Sequence, residues 1–222
     1  MSRRLVVISG GLSQPSSTRL LADRIAGAVS REVTARGEGL DVEVVELRPL
    51  ARDIADHLVT GMPSARLRDA LAAVSGAAAV VAVTPVFTAS YSGLFKSFVD
   101  LLDPGALTGT PVLIAATAGT ARHSLVLDYA MRPLFSYLRA QVVPTGVFAA
   151  TEDFGGDGAG RDGVEGLDRR IARAAAELGE RLVATGGAVA GFTAPAVDEV
   201  GRIDELDDAA ITPFAKLLRG ES

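Results

Sequence analysis
Four apolar runs constrain this chain more than any other feature: "RLVVIS" (4–9), "AAAVVAVTP" (77–85), "PVLIAATAG" (111–119) and "VVPTGVFAA" (142–150). None alternates polar with apolar residues, so each reads as a strand covered on both faces. Pro85 is expected to end the second of them, and the last is expected to bulge at Pro144 to Gly146. A fifth segment, "DVEVVEL" (41–47), nearly alternates and reads as an edge strand. Helical spacing fills the intervals. Leu21, Ile25 and Val29 recur every four residues, and Leu67, Leu71 and Val74 mark a second helix. Residues 92–102 place Leu94, Phe95, Phe98 and Leu101 or Leu102 on one side. Residues 124–140 form a long pattern interrupted by Pro133, which predicts a kink. Leu167, Ile171, Ala174, Leu178 and Leu182 give the last amphipathic helix.

Strands alternating with helices imply a five-stranded parallel sheet, doubly wound with helices on both faces and right-handed crossovers. The expected strand order is the flavodoxin-like 2-1-3-4-5. Residues 50–62 look irregular, with at most a short helix. Residues 152–166, rich in Gly and Asp, read as a mobile loop. The α/β domain is expected over 1–186, followed by a tail over 187–222 with a short helix near "ITPFAKLL" (211–218).

Composition removes several function classes. A net charge of −5, no Trp and 5% aromatics argue against nucleic-acid binding. With no Cys and only His57 and His123, thiolate chemistry and most zinc sites are excluded, and no metal site is expected. The N-terminal apolar run stops after Ile8, short of the roughly 7–15 residues of a signal peptide. "AAAVVAV" (77–83) falls far below the ~20 needed to span a bilayer. A soluble cytoplasmic protein without a membrane partner is the expectation.

In such sheets ligands sit beyond the carboxyl ends of the strands. Three strand ends carry unusual loops: 9–18, 84–92 and 117–124. The first, "SGGLSQPSST", holds five hydroxyls, two glycines and no charge. A helix N-terminus offers unpaired N–H groups and partial positive charge. Ser16, Ser17 and Thr18 add donors there, Ser9 and Ser13 lie upstream, and Gly10 and Gly11 allow close backbone approach and positive φ. That suits a phosphate. The competing reading is a Ser N-cap on an ordinary turn, which needs one hydroxyl rather than five. The loop is neither G-x-G-x-x-G nor a P-loop.

The second loop, "TPVFTASYSGLFKSFVD" (84–100), resembles the signature of the NADPH-dependent FMN reductases. Thr84, Pro85, Phe87, Ser90, Gly93, Lys96 and Asp100 stand at its marked positions. Phe87 replaces the usual Tyr, which keeps an aromatic wall and loses a phenol. The first loop looks like the family's phosphate loop without its common Gly-Ser-x-Arg start. The third, "ATAGTARHS" (116–124), resembles the stretch laid along the isoalloxazine edge. The segment from Leu127 is similar to flavin reductases that serve alkanesulfonate and other luciferase-like monooxygenases.

The resemblance implies FMN and NADPH or NADH as cofactors, and a homodimer or homotetramer. It implies that FMN phosphate lies on residues 13–18, and that the ring lies between 85–92 and 117–121. The cofactor contacts expected are Pro85, Val86, Phe87, Thr88, Ser90, Tyr91, Thr117, Ala118, Gly119 and Thr120, with His123 as a further candidate. Tyr129 falls where a tyrosine can approach flavin across a dimer interface. Hydride transfer from nicotinamide C4 to flavin N5 needs orientation more than acid or base chemistry, so no catalytic residue is assigned.

Plainer readings stand beside these. Lys96 and Asp100, at i and i+4, read as a helix ion pair. His123 is either a cofactor contact or an exposed helix-start residue, and His57 is a surface or interface histidine. Arg19 and Arg122 are candidates for the extra phosphate of NADPH, or ordinary surface residues. Phe135, Tyr137 and Leu138 are core or interface. The reaction expected is NAD(P)H-dependent reduction of FMN, with reduced flavin passing to a partner monooxygenase. Two alternatives are a quinone or azo reductase with tightly held FMN and a flavodoxin-type electron carrier.

Overall fold
The computed structural model describes residues 3–154 and 166–184. The Gly-rich stretch over 155–165 and the tail over 187–222, with its expected helix, lie outside them. Among the described residues seven strands are formed: β1 Arg3–Ser9, β2 Leu40–Glu46, β3 Ala79–Phe87, β4 Ser90–Tyr91, β5 Pro111–Ala118, β6 Gln141–Val142 and β7 Val147–Ala150. The α-helices are α1 Ser17–Ala35, α2 Ala51–Thr60, α3 Ala65–Ser75, α4 Gly93–Val99, α5 Arg132–Tyr137 and α6 Leu167–Ala184.

The sheet runs β2-β1-β3-β5-β6, with β7 also on β5 and β4 on β3. All pairs are parallel except β3–β4. Taken together, β6 and β7 are the single fifth strand of the sequence reading, and the order is then the flavodoxin-like one. The break over 143–146 follows from Pro144, which has no N–H to give the ladder. Several of its other polar groups find partners outside the ladder. Arg132 donates to the Val143 and Pro144 carbonyls at 3.1 and 3.0 Å. Glu177 accepts from the Thr145 amide and hydroxyl at 2.8 and 2.6 Å.

Strand residues divide strictly between two cores. Val6, Ile8, Val80, Ala82, Val112 and Ile114 join the core with Phe95, Phe98 and Phe135. Leu5, Val7, Val81, Val83, Leu113 and Ala115 join the core of α1 and α6. Because both faces are buried, neither alternate residue can be polar, which is why the strands read as unbroken apolar runs. Leu21, Ile25 and Val29 are fully buried on α1, and Leu178 on α6. Each such side chain contributes roughly 1.5–3 kcal/mol by burial.

Three expectations are corrected. Residues 51–60 form a ten-residue helix, α2, where an irregular segment with at most a short helix was expected; Leu50, Ile54 and Leu58 at i, i+4 spacing mark its apolar side, although only Ile54 of the helix is buried. β3 continues past Pro85 to Phe87. β1 pairs with β3 only as far as Ser9 opposite Val83, so on the β1 side Pro85 has no strand to which an N–H would donate. The break expected at Pro133 appears one turn earlier, as a π-helical turn over Leu127–Met131 that leads into α5 with Pro133 in its first turn.

Candidate functional site
Strand register brings the three loops to one edge. Ser9 lies opposite Val83, Pro85 opposite Thr117, and Thr117 opposite Ala149. The chain leaves β1, β3 and β5 within one patch at their carboxyl ends.

The first loop is shaped by steric necessity. A Cβ on Gly11 would lie 2.1 Å from Ser16 Oγ, and one on Gly10 would lie 3.3 Å from the Val83 carbonyl. Among the described residues the glycines with positive φ are Gly37, Gly61 and Gly109. Gly10 and Gly11 therefore serve by close approach, not by the positive φ that their type also allows. Ser16 is the N-cap of α1, its Oγ accepting from the Arg19 amide at 3.2 Å, while the Leu20 amide donates to the Ser16 carbonyl at 3.0 Å. Among the described residues the Ser17 and Thr18 amides have no partner and remain as donors of the helix end. No acidic residue occupies the first turn, so the partial positive charge there is uncancelled.

The second loop is a hairpin. Phe87 pairs with Ser90 across Thr88 and Ala89, at φ 49° and 65°. Two successive positive φ values give the tight primed turn that suits strand twist. Neither residue is glycine, and left-handed backbone costs roughly 1–2 kcal/mol per residue. Thr84 holds the base of the hairpin: its hydroxyl donates to the Pro85 carbonyl and accepts from the Ser92 amide, both at 3.0 Å. Ser92 in turn caps α4, accepting from the Phe95 amide.

The third loop is tied to the first. Thr18 Oγ1 and Thr117 Oγ1 are 2.8 Å apart and both residues are buried. This bond closes the floor of a cleft of about 410 Å3, lined by Ser13, Ser17 and Thr18, by Pro85, Val86 and Phe87, and by Thr117, Ala118 and Gly119. Leu12 and Thr151 complete the lining. The volume lies within the range of small-ligand sites, about 300–1,000 Å3. No side chain in this lining is ionisable, so what it offers is shape, hydroxyls and backbone.

The structure sorts the expected residues. Ser9 and Ser16 border a neighbouring cleft. Thr88, Ser90, Tyr91, Thr120 and His123 are not in the lining. The Tyr91 ring packs at 6.2 Å from Phe95, leaving Phe87, 48% exposed, as the aromatic of the wall. His123 is exposed in a 3-10 turn over Ala121–His123. Lys96 Nζ donates to Asp100 Oδ2 at 2.6 Å, the helix ion pair of the plainer reading. Phe135 and Leu138 are core; Tyr129 and Tyr137 are exposed. Two lining residues escaped the sequence reading. Leu12 sits inside the Ser-rich loop over 9–18 and has no polar group to mark it. Thr151 follows β7, and the rule that loops cluster at strand carboxyl ends could have found it.

A doubly wound sheet in this order, with an uncharged cleft beside an open helix N-terminus at its carboxyl edge, defines a flavodoxin-like nucleotide-binding protein. Comparison with known proteins narrows the class. Residues 3–155 match the family described as NADPH-dependent FMN reductase, and the chain belongs to that family. It is 38% identical over 151 residues to an FMN reductase (NADPH) of Pseudomonas aeruginosa, covering 68% of this chain and 78% of that one. It is 39% identical to the NADH-dependent FMN reductase SfnF of Pseudomonas putida, covering 68% and 79%. An oxidoreductase of Corynebacterium diphtheriae shares 56% identity and a TM-score of 0.77 over 82% of this chain and 98% of its own. The protein is thus an NAD(P)H-dependent FMN oxidoreductase with FMN and reduced nicotinamide as its cofactors.

Proposed function
We propose that FMN lies in the 410 Å3 cleft, with its phosphate on the N-terminus of α1 and its ring between Pro85–Phe87 and Thr117–Gly119. Reduced flavin then passes to a flavin-dependent monooxygenase. The observation that carries this reading is the convergence of three separate loops on one cleft, bridged by the Thr18–Thr117 hydrogen bond. The residues present fit the group: Gly11 leaves room that a Cβ would fill, and hydroxyls of Ser13 and Ser17 and helix amides supply donors for a phosphate.

When bound, FMN supplies a two-electron acceptor for the hydride of the reduced nicotinamide. The chain supplies placement. Ser13, Ser17 and the α1 amides fix the phosphate end, and the Thr18–Thr117 bond sets the ring-edge loop against it. Phe87 and Pro85 exclude water from one wall. With no ionisable group in the lining, the acceleration rests on orientation, worth several kcal/mol when two reactants are held in register.

The protein also acts as a homo-oligomer in the cytoplasm. Exposed apolar side chains around the π-turn and α5 (Leu125, Tyr129 and Tyr137) support the oligomer. The 92–102 segment, by contrast, buries Phe95, Phe98, Val99 and Leu102 in the protein's own core. Among the described residues no helix is long and apolar enough to cross a membrane.

The test is an assay of NADH and NADPH consumption at the nicotinamide absorbance band with FMN added to purified protein. FMN-dependent consumption that falls when Ser17→Ala raises the KM for FMN is expected. Consumption indifferent to Ser17 and Ser13 sinks the placement. A coupled assay with a flavin-dependent monooxygenase reads the transfer, and a sizing column reads the oligomer and whether FMN stays bound.

A further inference from the structure
The loop after β1 has two sides, and the flavin uses one of them. On the other, between the carboxyl ends of β1 and β2, lies a second cleft of about 300 Å3. Its walls include Ser13 of the loop, Arg19, Leu20 and Asp23 of α1, and Glu46 and Arg48 at the end of β2. Ser13 also borders the flavin cleft, so the two are neighbours across the phosphate loop.

The charges of this cleft form a frame. Arg19 Nε donates to Asp23 Oδ1 at 2.8 Å, and its NH1 pairs with Glu46 Oε1. Each carboxylate uses one oxygen on Arg19 and keeps the other as an acceptor. Arg48, two residues beyond the end of β2, brings a second guanidinium to the cleft. Leu20 lies among these groups 49% exposed, an apolar plate beside polar ones. A ligand that matches has a flat apolar ring for Leu20, adjacent hydroxyls to donate to the free carboxylate oxygens, and a phosphate for Arg48. Adenosine carrying a 5′-phosphate has these three parts. In doubly wound dinucleotide sites an acidic side chain beyond the second strand takes the ribose hydroxyls, and Glu46 is the last residue of β2.

We propose that this cleft binds the adenylate half of a dinucleotide, with Glu46 and Asp23 accepting from the ribose 2′,3′-diol. The inference rests on the flavin placement above. Two ligands carry the moiety: NADH, whose nicotinamide must reach the flavin, and FAD, whose FMN half would occupy the flavin cleft. NADPH carries a phosphate where the 2′-hydroxyl would donate. An ionised phosphate has no proton to give the free oxygens of Asp23 and Glu46, so the site favours the unphosphorylated ribose.

The experiment begins with FMN-loaded protein, so that the flavin cleft is filled, titrated with 5′-AMP and with adenosine 2′,5′-bisphosphate. The expected result is binding of 5′-AMP, tighter than the bisphosphate. Glu46→Gln and, on the opposite wall, Leu20→Asn weaken 5′-AMP about tenfold, the loss of one charge-assisted hydrogen bond or its equivalent. The FMN dissociation constant stays within about twofold. Steady-state arms then separate the sources. If the ligand is NADH, Glu46→Gln raises the KM for NADH about tenfold relative to NADPH. If it is FAD, the same change weakens FAD relative to FMN and leaves the nicotinamide ratio alone. Failure of FMN-loaded protein to take 5′-AMP, or equal binding by wild type and both variants, overturns the proposal. So does a Glu46→Gln protein in which neither the NADH/NADPH nor the FAD/FMN ratio moves. A wild type that takes up no FMN sinks the flavin placement instead, and is recognised before any adenylate is added.

Discussion

The two sides of the β1–α1 loop are built from different materials. The side proposed for flavin has hydroxyls, small residues and backbone, with no ionisable lining group. The β2 side has two guanidiniums and two carboxylates within one cleft. Both are read here as nucleotide sites, so the difference is one of method. Donors fixed by a helix end and by glycine contacts hold an anion through geometry, and such a site is sensitive to steric error. Charged side chains that are about 40–50% exposed act through a screened field and tolerate displacement. Steric changes should therefore damage the first side far more than the loss of a charge damages the second.

The largest effect is expected at Gly11. A Cβ there would lie 2.1 Å from Ser16 Oγ and 3.2 Å from Thr18 Cβ, so the cap and the phosphate loop cannot both keep their positions. Gly11→Val should weaken FMN at least about 100-fold, the equivalent of roughly two strong hydrogen bonds. Flavin fluorescence titration measures it, with far-UV circular dichroism to show a retained fold. Near-native affinity in that variant would break the comparison, because the loop would then be soft.

The next effect lies at the floor of the flavin cleft. Thr18→Val leaves the buried Thr117 hydroxyl without its partner at 2.8 Å, which costs about 1–3 kcal/mol. Removing both hydroxyls, in Thr18→Val with Thr117→Val, should cost less than the sum of the two single changes. Denaturant unfolding of the four proteins closes the cycle. Strict additivity would mean that the bridge does not join the two loops energetically.

The sequence made some of this legible and hid the rest for physical reasons. Val80 through Val83 and Leu113 through Ala115 are buried on both faces, so composition alone declared them strands of a covered sheet. Helix α2 is marked only by Leu50, Ile54 and Leu58 at i, i+4 spacing, with Leu58 exposed, a shorter repeat than those of α1 and α6. The three loops were legible because Gly, Ser, Thr and Pro gather at strand ends. Their division of labour was not. Ser16 and Ser17 are equivalent by type, yet one hydroxyl caps the helix and the other faces the cleft. Phe87 and Tyr91 were equally eligible as ring walls until the two-residue turn sent one to the cleft and the other onto Phe95. The β2-side cleft was invisible because Glu46 and Arg19 are 27 residues apart and meet only in the fold.

The smallest effect is expected where charge is densest. Arg19 is held by Asp23 and Glu46, with side chains 37%, 50% and 44% exposed. Pairs exposed to that degree contribute about 0–1 kcal/mol, so Arg19→Gln should shift stability by less than about 1 kcal/mol. FMN affinity should stay within about twofold, because Arg19 does not line the flavin cleft. The hydrogen bond to Asp23, offset in part by burial, raises the guanidinium above its ordinary value. A raised cation contributes stability that is present at all pH values below its unfolded pKa and lost only above it. Arg19 thus adds no pH dependence across the neutral range, and unfolding of wild type and Arg19→Gln should differ by the same small amount at pH 6 and pH 9. An Arg19→Gln protein that loses FMN tenfold would show that charge reaches the flavin side after all, and that the loop does not divide the two sites.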